Sequence, residues 1–507
     1  MGRAAAAMSL IGTVLAPSPA AAVSEELLPG LPAIMPEVQP DTEDYANLPE
    51  NEFLAVDRYP LSTFSVDVDT ASYSNVRRFL TEGKMPPPDA VRVEEMVNYF
   101  VYDYPRPAGQ APFSITTEVA ACPWNTEHQL MRIGIQGRPL EGSPPPRNLV
   151  FLLDVSGSMS DSNKLPLLKK AMRTLVETLT QKDKVAIVVY AGASGLVLPS
   201  TIGSEKQRIL QALDGLEAGG STNGGSGIEL AYRVAGENYL GAGINRVILA
   251  TDGDFNLGTT SQGELMRLIG EKRKTGVFLT VLGLGTGNLK DSTMEMLADR
   301  GNGNYAYFDK LAEARKVLVA EGGATLVTIA KDVKIQVEFN PRHVSAYRLI
   351  GYENRVLKEE DFKDDSKDAG EIGAGHRVTA LYELVRPGQP DLAAGSEPLR
   401  YQSGRATTAL SDKPELLIVK VRYKPPDQGK SRELEHVVAR TQEGEPSGDF
   451  RFAAAVAGFG MLLRNSRFKA QANYRLVAEL AQGALARDDE GYRREFLELV
   501  KKAQRLA

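Results

Sequence analysis

Five side chains with hard oxygen ligands follow apolar or glycine-rich segments of this 507-residue chain. Asp154, Ser156 and Ser158 come directly after the apolar run NLVFLLD, in the pattern D-x-S-x-S. Thr222 lies in the glycine-rich segment AGGSTNGGSG, and Asp252 ends the apolar run NRVILATD. Hydroxyl oxygens combined with only two carboxylates suit Mg²⁺, which prefers octahedral oxygen coordination and retains waters. These residues therefore predict a Mg²⁺ (or Mn²⁺) site with an open position for an outside carboxylate.

Alternating strand and helix patterns surround these residues, from Asn148 to about Val319. Continuous apolar runs predict strands buried on both faces, and the segments between them have helical spacing. The predicted buried strands are NLVFLLD, KVAIVVYAG, NRVILATDG and VFLTVLGLG, with LVLPST as an edge strand. This alternation predicts an α/β fold with a doubly wound, mostly parallel sheet. Ligands bind such sheets at the carboxyl ends of strands, so we expect Asp154 and Asp252 to emerge at one edge, with Gly157 permitting the sharp turn between the serines.

The sequence on either side of this segment predicts antiparallel strands. Ser114 to Ala120 and Leu130 to Gln136 precede it, and four runs with partial period-two alternation follow Ala324. We therefore expect the α/β domain to be inserted in an antiparallel β-sandwich, with N-terminal and C-terminal helical arms. The predicted segments are 1–22 (signal peptide), 23–50 (flexible linker), 51–108 (helical or mixed arm), 109–145 (sandwich strands), 146–322 (α/β domain), 323–445 (sandwich) and 446–507 (C-terminal helical region).

The N-terminus indicates export. Arg3, the mostly apolar stretch Ala4 to Leu15 and the small residues Ala20 to Ala22 are typical of a secretory signal peptide, the alternative being an alanine-rich tail. Neither this stretch nor the apolar run Phe452 to Leu463 has the roughly 20 residues that span a bilayer, so no transmembrane helix is predicted. We expect a secreted or periplasmic, cell-envelope location, and the N-terminal segment has no cysteine for lipid attachment.

The composition excludes several other classes of chemistry. Lys and Arg total 59 against 65 Asp and Glu, a net charge of −6, and no clustered basic face for nucleic acid is evident. One cysteine cannot form an intramolecular disulfide or a thiolate zinc cluster, and the four histidines lack metal-ligand spacing. The cysteine is Cys122, which we interpret as a packed thiol. The four histidines are His128, His343, His376 and His436.

The order and spacing of the oxygen ligands resemble a known family. Asp154, Ser156, Ser158, Thr222 and Asp252 together are similar to a von Willebrand factor type A domain with a complete metal-ion-dependent adhesion site. The resemblance implies that the hydroxyls ligate the metal directly or through water, that the aspartates act largely through water and hydrogen bonds, and that a partner carboxylate completes the shell. The flanking stretches resemble bacterial envelope proteins of the YfbK-like type: PLSTFSVDVDTASYSNVRRFL, RVEEMVNYF, PWNTEHQLMRIGIQG and DFRFAAAVAGFGMLLRNS.

Other candidate residues have a simpler structural interpretation. Asp254 is either an outer-shell carboxylate of the metal site or a surface turn residue. Asp67 and Asp69 lack the hydroxyl spacing of a metal motif, and we interpret them as a strand end and a helix cap. Ser156 as a nucleophile would need a base, and no histidine falls in the α/β segment. Gly283 to Gly287 lacks the glycine spacing of a dinucleotide site.

We therefore expect a divalent-metal-dependent protein-binding module, an adhesion or scaffold protein rather than an enzyme. Its partner is expected to be a protein that offers an Asp or Glu carboxylate or a C-terminus, and no nucleic acid is expected to bind. Three alternatives remain open. They are a scaffold in which the metal only stabilises the fold, a metal-assisted hydrolase with Asp254 or Asp161 as the nearest candidate base, and a chaperone-type factor.

Overall fold

The computed structural model describes residues 42–220, 224–253, 262–320, 326–389, 408–426, 428–440 and 444–507. The predicted signal peptide, residues 23–41 of the predicted linker, Thr222 and Asp254 lie outside the described residues. The strands in chain order are β1 (Leu54–Ala55), β2 (Leu61–Ser65), β3 (Phe113–Cys122), β4 (Asn125–Gly137), β5 (Arg147–Asp154), β6 (Lys184–Tyr190), β7 (Ser194–Ile202), β8 (Ile244–Thr251), β9 (Val277–Leu284), β10 (Tyr305–Phe308), β11 (Thr328–Phe339), β12 (Ala346–Ile350), β13 (Val356–Leu357), β14 (Gly370–Gly373), β15 (Arg377–Val385), β16 (Glu415–Lys424) and β17 (Arg432–Ala439). The helices in chain order are α1 (Ala71–Thr81), α2 (Val93–Asn98), α3 (Leu165–Glu177), α4 (Lys206–Asp214), α5 (Gly224–Glu237), α6 (Gln262–Lys272), α7 (Asp291–Arg300), α8 (Leu311–Arg315), α9 (Gly448–Leu463), α10 (Tyr474–Gln482) and α11 (Tyr492–Leu506).

A six-stranded sheet forms the α/β part of the fold, in the order β10-β9-β8-β5-β6-β7. Its strands are parallel except β7, which pairs antiparallel with β6 at the edge. The central strand β5 is buried on both faces. Phe151 lies in one apolar core with Leu168 of α3, and Leu152 lies in a second core with Ile228 of α5. This arrangement confirms the predicted doubly wound, mostly parallel α/β fold, and LVLPST is the edge strand that its pattern predicts.

Two antiparallel sheets form a sandwich, in the orders β1-β12-β15-β4-β3 and β13-β2-β11-β16-β17. Their inner faces share one apolar core, which includes Ile133 and Tyr382 from the first sheet and Val337 and Val419 from the second. Strand β4 precedes the α/β segment and β15 follows it, yet the two strands pair directly. The α/β segment is therefore inserted in the sandwich, as the sequence predicts, while the numerical segment boundaries stay a prediction.

The two predicted helical arms form a single layer. Tyr73 of α1, Phe100 after α2, Phe452 of α9 and Phe496 of α11 share one core, and the ring centroids of Phe100 and Phe452 are 4.8 Å apart. Helix α9 is capped by Ser447, whose side chain accepts a hydrogen bond from the backbone N–H of Phe450. Nearly all of α9 is buried against this layer, which confirms the buried helix predicted from its apolar run. None of the described helices is both long and apolar enough to cross a bilayer.

The N-terminal part of the chain is joined to the other parts of the fold. Residues 51–108 contain both strands and helices, in keeping with a mixed arm, and the strands belong to the sandwich, because β1 pairs with β12 and β2 lies between β11 and β13. Residues 42–50 belong to the predicted flexible linker, but that prediction is wrong for them. The Thr42 amide donates to the Gly287 carbonyl at 2.7 Å, and the Asp44 amide donates to the Leu289 carbonyl at 2.9 Å. These backbone hydrogen bonds fix the segment against the α/β part of the fold.

The turn between β14 and β15 makes stability depend on pH. His376 Nδ1 accepts a hydrogen bond from the Gly373 amide at 3.0 Å, so this ring nitrogen carries no proton. Burial, aided by the charges of Arg246 and Arg377, lowers the pKa of His376 from 6.5 to about 4. The unfolded chain takes up a proton near its higher pKa, so this contribution to stability is present above that pKa and is lost as pH falls toward about 4.

We expect the free energy of unfolding to fall as the pH is lowered from about 7 to about 5, and to fall by about 1–2 kcal/mol more in wild type than in His376→Asn. Urea denaturation of both proteins at the two pH values measures this difference. The asparagine carbonyl oxygen retains an acceptor for the Gly373 amide but does not titrate. An identical loss in both proteins contradicts the prediction.

Candidate metal centre

The carboxyl ends of β5 and β8 meet at the point where strand order reverses. The chain continues from β5 to β6 on one side and from β8 to β9 on the other, so the connections leave these two neighbouring strands in opposite directions. This switch point is where open parallel sheets bind ligands. Asp154 is the last residue of β5, and Asp252 directly follows β8. The structure therefore brings the two predicted aspartates to adjacent strand ends, where the Thr251 hydroxyl donates to Asp154 Oδ2 at 3.0 Å.

The loop after β5 collects three of the predicted oxygen groups. Asp154 Oδ1 accepts a hydrogen bond from the Ser156 amide at 2.9 Å, and the Ser156 and Ser158 hydroxyl oxygens are 3.0 Å apart. Asp154 is fully buried. Burial raises the pKa of Asp154 to about 6, and the negative charge of Asp252 adds to this, while hydrogen bonds from Ser156 and Thr251 oppose it. Two carboxylates buried close together favour a cation or a proton between them.

The glycine-rich loop that leads to Thr222 is tied to the same place. The Gly157 amide donates to the Gly220 carbonyl at 3.1 Å, and the Gly219 amide donates to the Val155 carbonyl at 2.8 Å. Gly220 has a φ of +81°, a conformation that favours glycine. Thr222 itself lies outside the described residues, so its place in the ligand set stays a prediction.

Asp252 has one carboxylate oxygen paired and one unpaired. Its Oδ2 accepts a hydrogen bond from Lys164 Nζ at 3.0 Å, whereas its buried Oδ1 has no hydrogen-bond partner among the described residues. The turn after it requires Gly253, whose φ is +116° and where a Cβ atom would lie 2.2 Å from the Asn288 carbonyl oxygen. The sequence T-D-G therefore holds the Asp252 carboxylate at the sheet edge with one oxygen available to a ligand.

Lys164 is a residue of this centre that the sequence does not reveal. Its side chain is 5% exposed, and its Nζ also donates to Asn288 Oδ1 at 3.3 Å. The segment KLPLLKKAM has ordinary helical spacing, and nothing in that pattern distinguishes Lys164 from Lys169 or Lys170. Asp161, a candidate base in the hydrolase alternative, has a side chain that is 69% exposed and lies 3.9 Å from Lys164 Nζ.

A second group of carboxylates is buried away from this edge. Oxygen atoms of Asp67, Glu95 and Glu295 lie within 4.8 Å of one another. Each carboxylate contacts a guanidinium: Arg355 lies 3.1 Å from Asp67 and 3.2 Å from Glu295, and Arg92 pairs with Glu95. We name these five residues the buried ion-pair cluster. They come from the segment after β2, from α2 and the residue before it, from α7 and from the turn before β13, so the cluster joins the helical layer, the α/β part and the sandwich.

The helix-cap interpretation of Asp69 is wrong. Residue Thr70 precedes α1 and makes no side-chain cap, while Asp69 Oδ1 accepts a hydrogen bond from the Tyr305 amide at 2.8 Å. Asp69 therefore connects the N-terminal segment to strand β10, because the backbone N–H at the start of that strand needs an acceptor. The interpretation of Cys122 as a packed thiol is confirmed, since it lies fully buried in the core of the helical layer and burial raises the pKa of its thiol.

Comparisons with known proteins agree with this architecture. A von Willebrand factor type A domain model matches residues 148–319, a von Willebrand factor model matches residues 39–132, and a model described as the C-terminal part of the uncharacterized protein YfbK matches residues 324–506. Domains of the von Willebrand factor A type commonly mediate protein interactions and often bind a metal ion.

The relatives differ in how much of the chain they share. A human inter-alpha-trypsin inhibitor heavy chain is 27% identical over 148 residues, which cover 28% of this chain and 16% of that protein. A solved von Willebrand factor type A structure from Catenulispora acidiphila superimposes with a TM-score of 0.42 at 15% identity, over 76% of this chain and 89% of that one. The uncharacterized protein YfbK of Escherichia coli is 44% identical over 472 residues, covering 92% of this chain and 81% of the relative. The chain therefore belongs to the YfbK family of bacterial proteins with a von Willebrand factor type A domain.

Proposed function

We propose that this chain is a divalent-metal-dependent protein-binding module of the bacterial cell envelope. Asp154, Ser156, Ser158, Thr222 and Asp252 would hold Mg²⁺ (or Mn²⁺), and a carboxylate of a protein partner would complete the coordination. The bound ion supplies a concentrated positive charge that attracts such a carboxylate.

One observation carries this proposal: a buried carboxylate oxygen without a hydrogen bond faces the switch point. Asp252 Oδ1 is fully buried and accepts nothing from the described residues, although leaving a buried charged oxygen unsatisfied is costly. Asp154 is buried beside it, and the paired hydroxyls of Ser156 and Ser158 lie on the adjoining loop. A hard cation satisfies all of these oxygens at once, so the residues fit the metal that the family implies.

Protein binding fits this site better than hydrolysis does. A metal-assisted hydrolase needs a general base within hydrogen-bond reach of the attacking water. Asp161 has a largely exposed side chain, and its carboxylate lies 3.9 Å from the Lys164 ammonium. The chain has no histidine between residues 148 and 319. We therefore propose that the protein is not an enzyme.

The location of the protein is part of the same proposal. The N-terminal residues have the composition of a signal peptide, and the flanking stretches resemble envelope proteins.

A crosslinking pull-down from the envelope fraction tests the proposal. With Mg²⁺ present, the full-length chain is expected to capture a protein partner that is lost in EDTA and recovered when Mg²⁺ is added back, because the ion links the two carboxylate surfaces. EDTA is also expected to lower the Tm by about 1 °C for each kcal/mol of lost ligand stabilisation, because the entropy of unfolding of a 507-residue chain is about 1 kcal/mol/K. A control with Asp214→Asn, an exposed carboxylate on α4, is expected to behave like wild type in both measurements.

The scaffold alternative and a metal-independent contact give different outcomes in these measurements. A metal that only stabilises the fold lowers the Tm on removal but leaves the crosslinked partner unchanged in EDTA. Binding that is independent of metal leaves both the Tm and the capture unchanged. Either result contradicts a metal-bridged contact.

A further inference from the structure

Lys164 occupies a buried position beside the proposed metal centre. It directly precedes α3, and its Nζ donates to Asp252 Oδ2 at 3.0 Å and to Asn288 Oδ1 at 3.3 Å. Lysine is rarely buried to this extent, because removing an ammonium from water is costly unless a carboxylate and further acceptors surround it. The position is therefore a built feature of the centre rather than a surface charge that happens to lie nearby.

The side chain of Lys164 is held along its whole length. Gly285, with a φ of +72°, lies against its stem, and a Cβ atom at that position would be 2.4 Å from Lys164 Cε. The Tyr307 hydroxyl donates to the Gly285 carbonyl at 2.6 Å, which fixes the backbone that forms this slot. The ammonium therefore stays beside Asp252 instead of exchanging with solvent.

The charges of the centre determine which kind of ligand can complete the coordination of the metal ion. Among the described residues, the charged groups buried there are Asp154, Asp252 and Lys164, with a formal sum of −1. A divalent ion changes this sum to +1, whereas without the lysine the loaded centre would be neutral. A positive centre in a partly desolvated crevice attracts an anion and has little preference for a neutral oxygen ligand.

We propose that Lys164 is a specificity-determining residue: its ammonium leaves the metal-loaded centre positively charged, so that the centre selects an anionic carboxylate of its protein partner over a neutral carbonyl or amide oxygen. This inference rests on the proposed metal-dependent binding function. The Lys164 ammonium has the opposite effect on metal binding, because it repels the metal ion. Lys164 therefore weakens metal binding and strengthens carboxylate binding.

Water-proton relaxation of the Mn²⁺-loaded full-length protein measures both effects. The Mn²⁺ titration gives the metal affinity, and added acetate reports carboxylate binding through the loss of the signal from Mn²⁺-bound water. Acetamide is the neutral probe of nearly the same shape. The variants are Lys164→Gln, which retains a hydrogen-bond donor for Asp252 without the charge, and Lys164→Met, which removes both. Lys182→Met is the control, because Lys182 is an exposed lysine of the same domain. Chloride is added to hold the ionic strength constant.

In wild type, acetate is expected to displace Mn²⁺-bound water at lower concentration than acetamide. Both Lys164 variants are expected to need about tenfold more acetate, the effect of one unit charge a few ångströms from the ligand in a partly screened site. Their response to acetamide is expected to be unchanged, and their Mn²⁺ affinity is expected to exceed that of wild type, because the repelling charge is gone. The Lys182→Met protein is expected to match wild type throughout.

If wild type binds Mn²⁺, three results overturn the inference about Lys164 and leave the proposed function standing. They are equal acetate responses in wild type and both variants, a loss of Mn²⁺ affinity in both variants, and a normal acetate response in Lys164→Gln with a weak one in Lys164→Met. The last two assign Lys164 to holding Asp252 in place and not to setting the charge. Failure of wild type to bind Mn²⁺ instead overturns the proposed function, and this inference with it.

Discussion

Replacing Arg355 with methionine is expected to lower the free energy of unfolding by about 3–5 kcal/mol. The guanidinium lies 3.1 Å from Asp67, 3.2 Å from Glu295 and 2.5 Å from Asp299, and its side chain is 10% exposed. Methionine fills much of the same volume but leaves the buried Asp67 carboxylate without this counter-charge, and, among the described residues, it leaves Glu295 with only Arg92, at 3.8 Å. Removing one partner of a buried ion pair leaves the other charge uncompensated, and this lowers the free energy of unfolding by more than the intact pair contributes to it. The effect is therefore large even if the intact cluster contributes little to stability.

The measurement is urea denaturation followed by two spectroscopic probes, with Arg173→Met as the control. Arg173 pairs with Asp214 at 2.8 Å, but both side chains are about half exposed, so its loss is expected to cost less than about 1 kcal/mol. The double variant Arg355→Met with Asp67→Asn is expected to recover part of the loss, because it removes a carboxylate together with its partner. A loss below about 1 kcal/mol for Arg355→Met, or no recovery in the double variant, contradicts the assignment of the cluster as a joint between the parts of the fold.

The direction of the pH dependence provides a further check on this prediction. Burial raises the pKa of Glu295, although Arg92 and Arg355 oppose the shift, and burial raises the pKa of Asp299 against the same opposing charge of Arg355. Without Arg355 these carboxyl groups take up protons more readily, and a protonated carboxyl has no charge to compensate. The stability difference between wild type and Arg355→Met is therefore expected to shrink as pH falls from neutral.

The cluster also shows where sequence-based prediction ends for this fold. The strands NLVFLLD and NRVILATDG can be predicted because a strand buried on both faces must be apolar throughout, and the aspartates after them lie at one edge because the strands are parallel. The pairing of Arg355 with Asp67 joins residues far apart in the chain, and nothing local indicates it. In a pattern of charged and apolar positions, Arg92, Glu95 and Arg355 look like solvated surface residues.

Lys164 and the shortest strands escape prediction for related reasons. Lys164 precedes an amphipathic helix, where a lysine is ordinarily exposed, and its burial follows only from the slot beside Gly285. Strands β1 (Leu54–Ala55) and β13 (Val356–Leu357) have two residues each, too few for any periodicity, and they exist because longer neighbours offer unpaired edges. The candidate metal ligands, by contrast, can be proposed from the sequence, because the chemistry constrains which residue types follow which strand, and their ligand role stays a prediction.

Replacing Asp154 with asparagine is expected to weaken Mn²⁺ or Mg²⁺ binding about 100-fold without unfolding the loop that presents the serines. The asparagine side-chain oxygen can still accept the hydrogen bond that Asp154 Oδ1 receives from the Ser156 amide, so the turn keeps its shape. What is lost is one of the two negative charges that attract the ion. Isothermal titration of wild type, Asp154→Asn and Asp154→Ala with Mn²⁺ measures the effect, and Asp214→Asn is the matched control on an exposed helix end. Equal metal affinity in wild type and Asp154→Asn contradicts the proposed site.

The same substitution is expected to stabilise the metal-free protein, and this opposite sign separates a binding site from a structural one. Burial raises the pKa of Asp154 to about 6, so in the metal-free chain the ionised carboxylate opposes folding at neutral pH. A carboxyl with a raised folded-state pKa contributes stability that is present below its unfolded value near 4 and is lost as pH rises through about 6. At about pH 7.5 in EDTA, the free energy of unfolding of Asp154→Asn is therefore expected to be about 1–2 kcal/mol higher than that of wild type. This difference is expected to vanish near pH 4. Lower stability of metal-free Asp154→Asn at neutral pH would instead assign Asp154 to holding the fold together. Higher stability of metal-free Asp154→Asn at neutral pH would support the proposal that Asp154 serves ion binding at a cost to the stability of the empty protein.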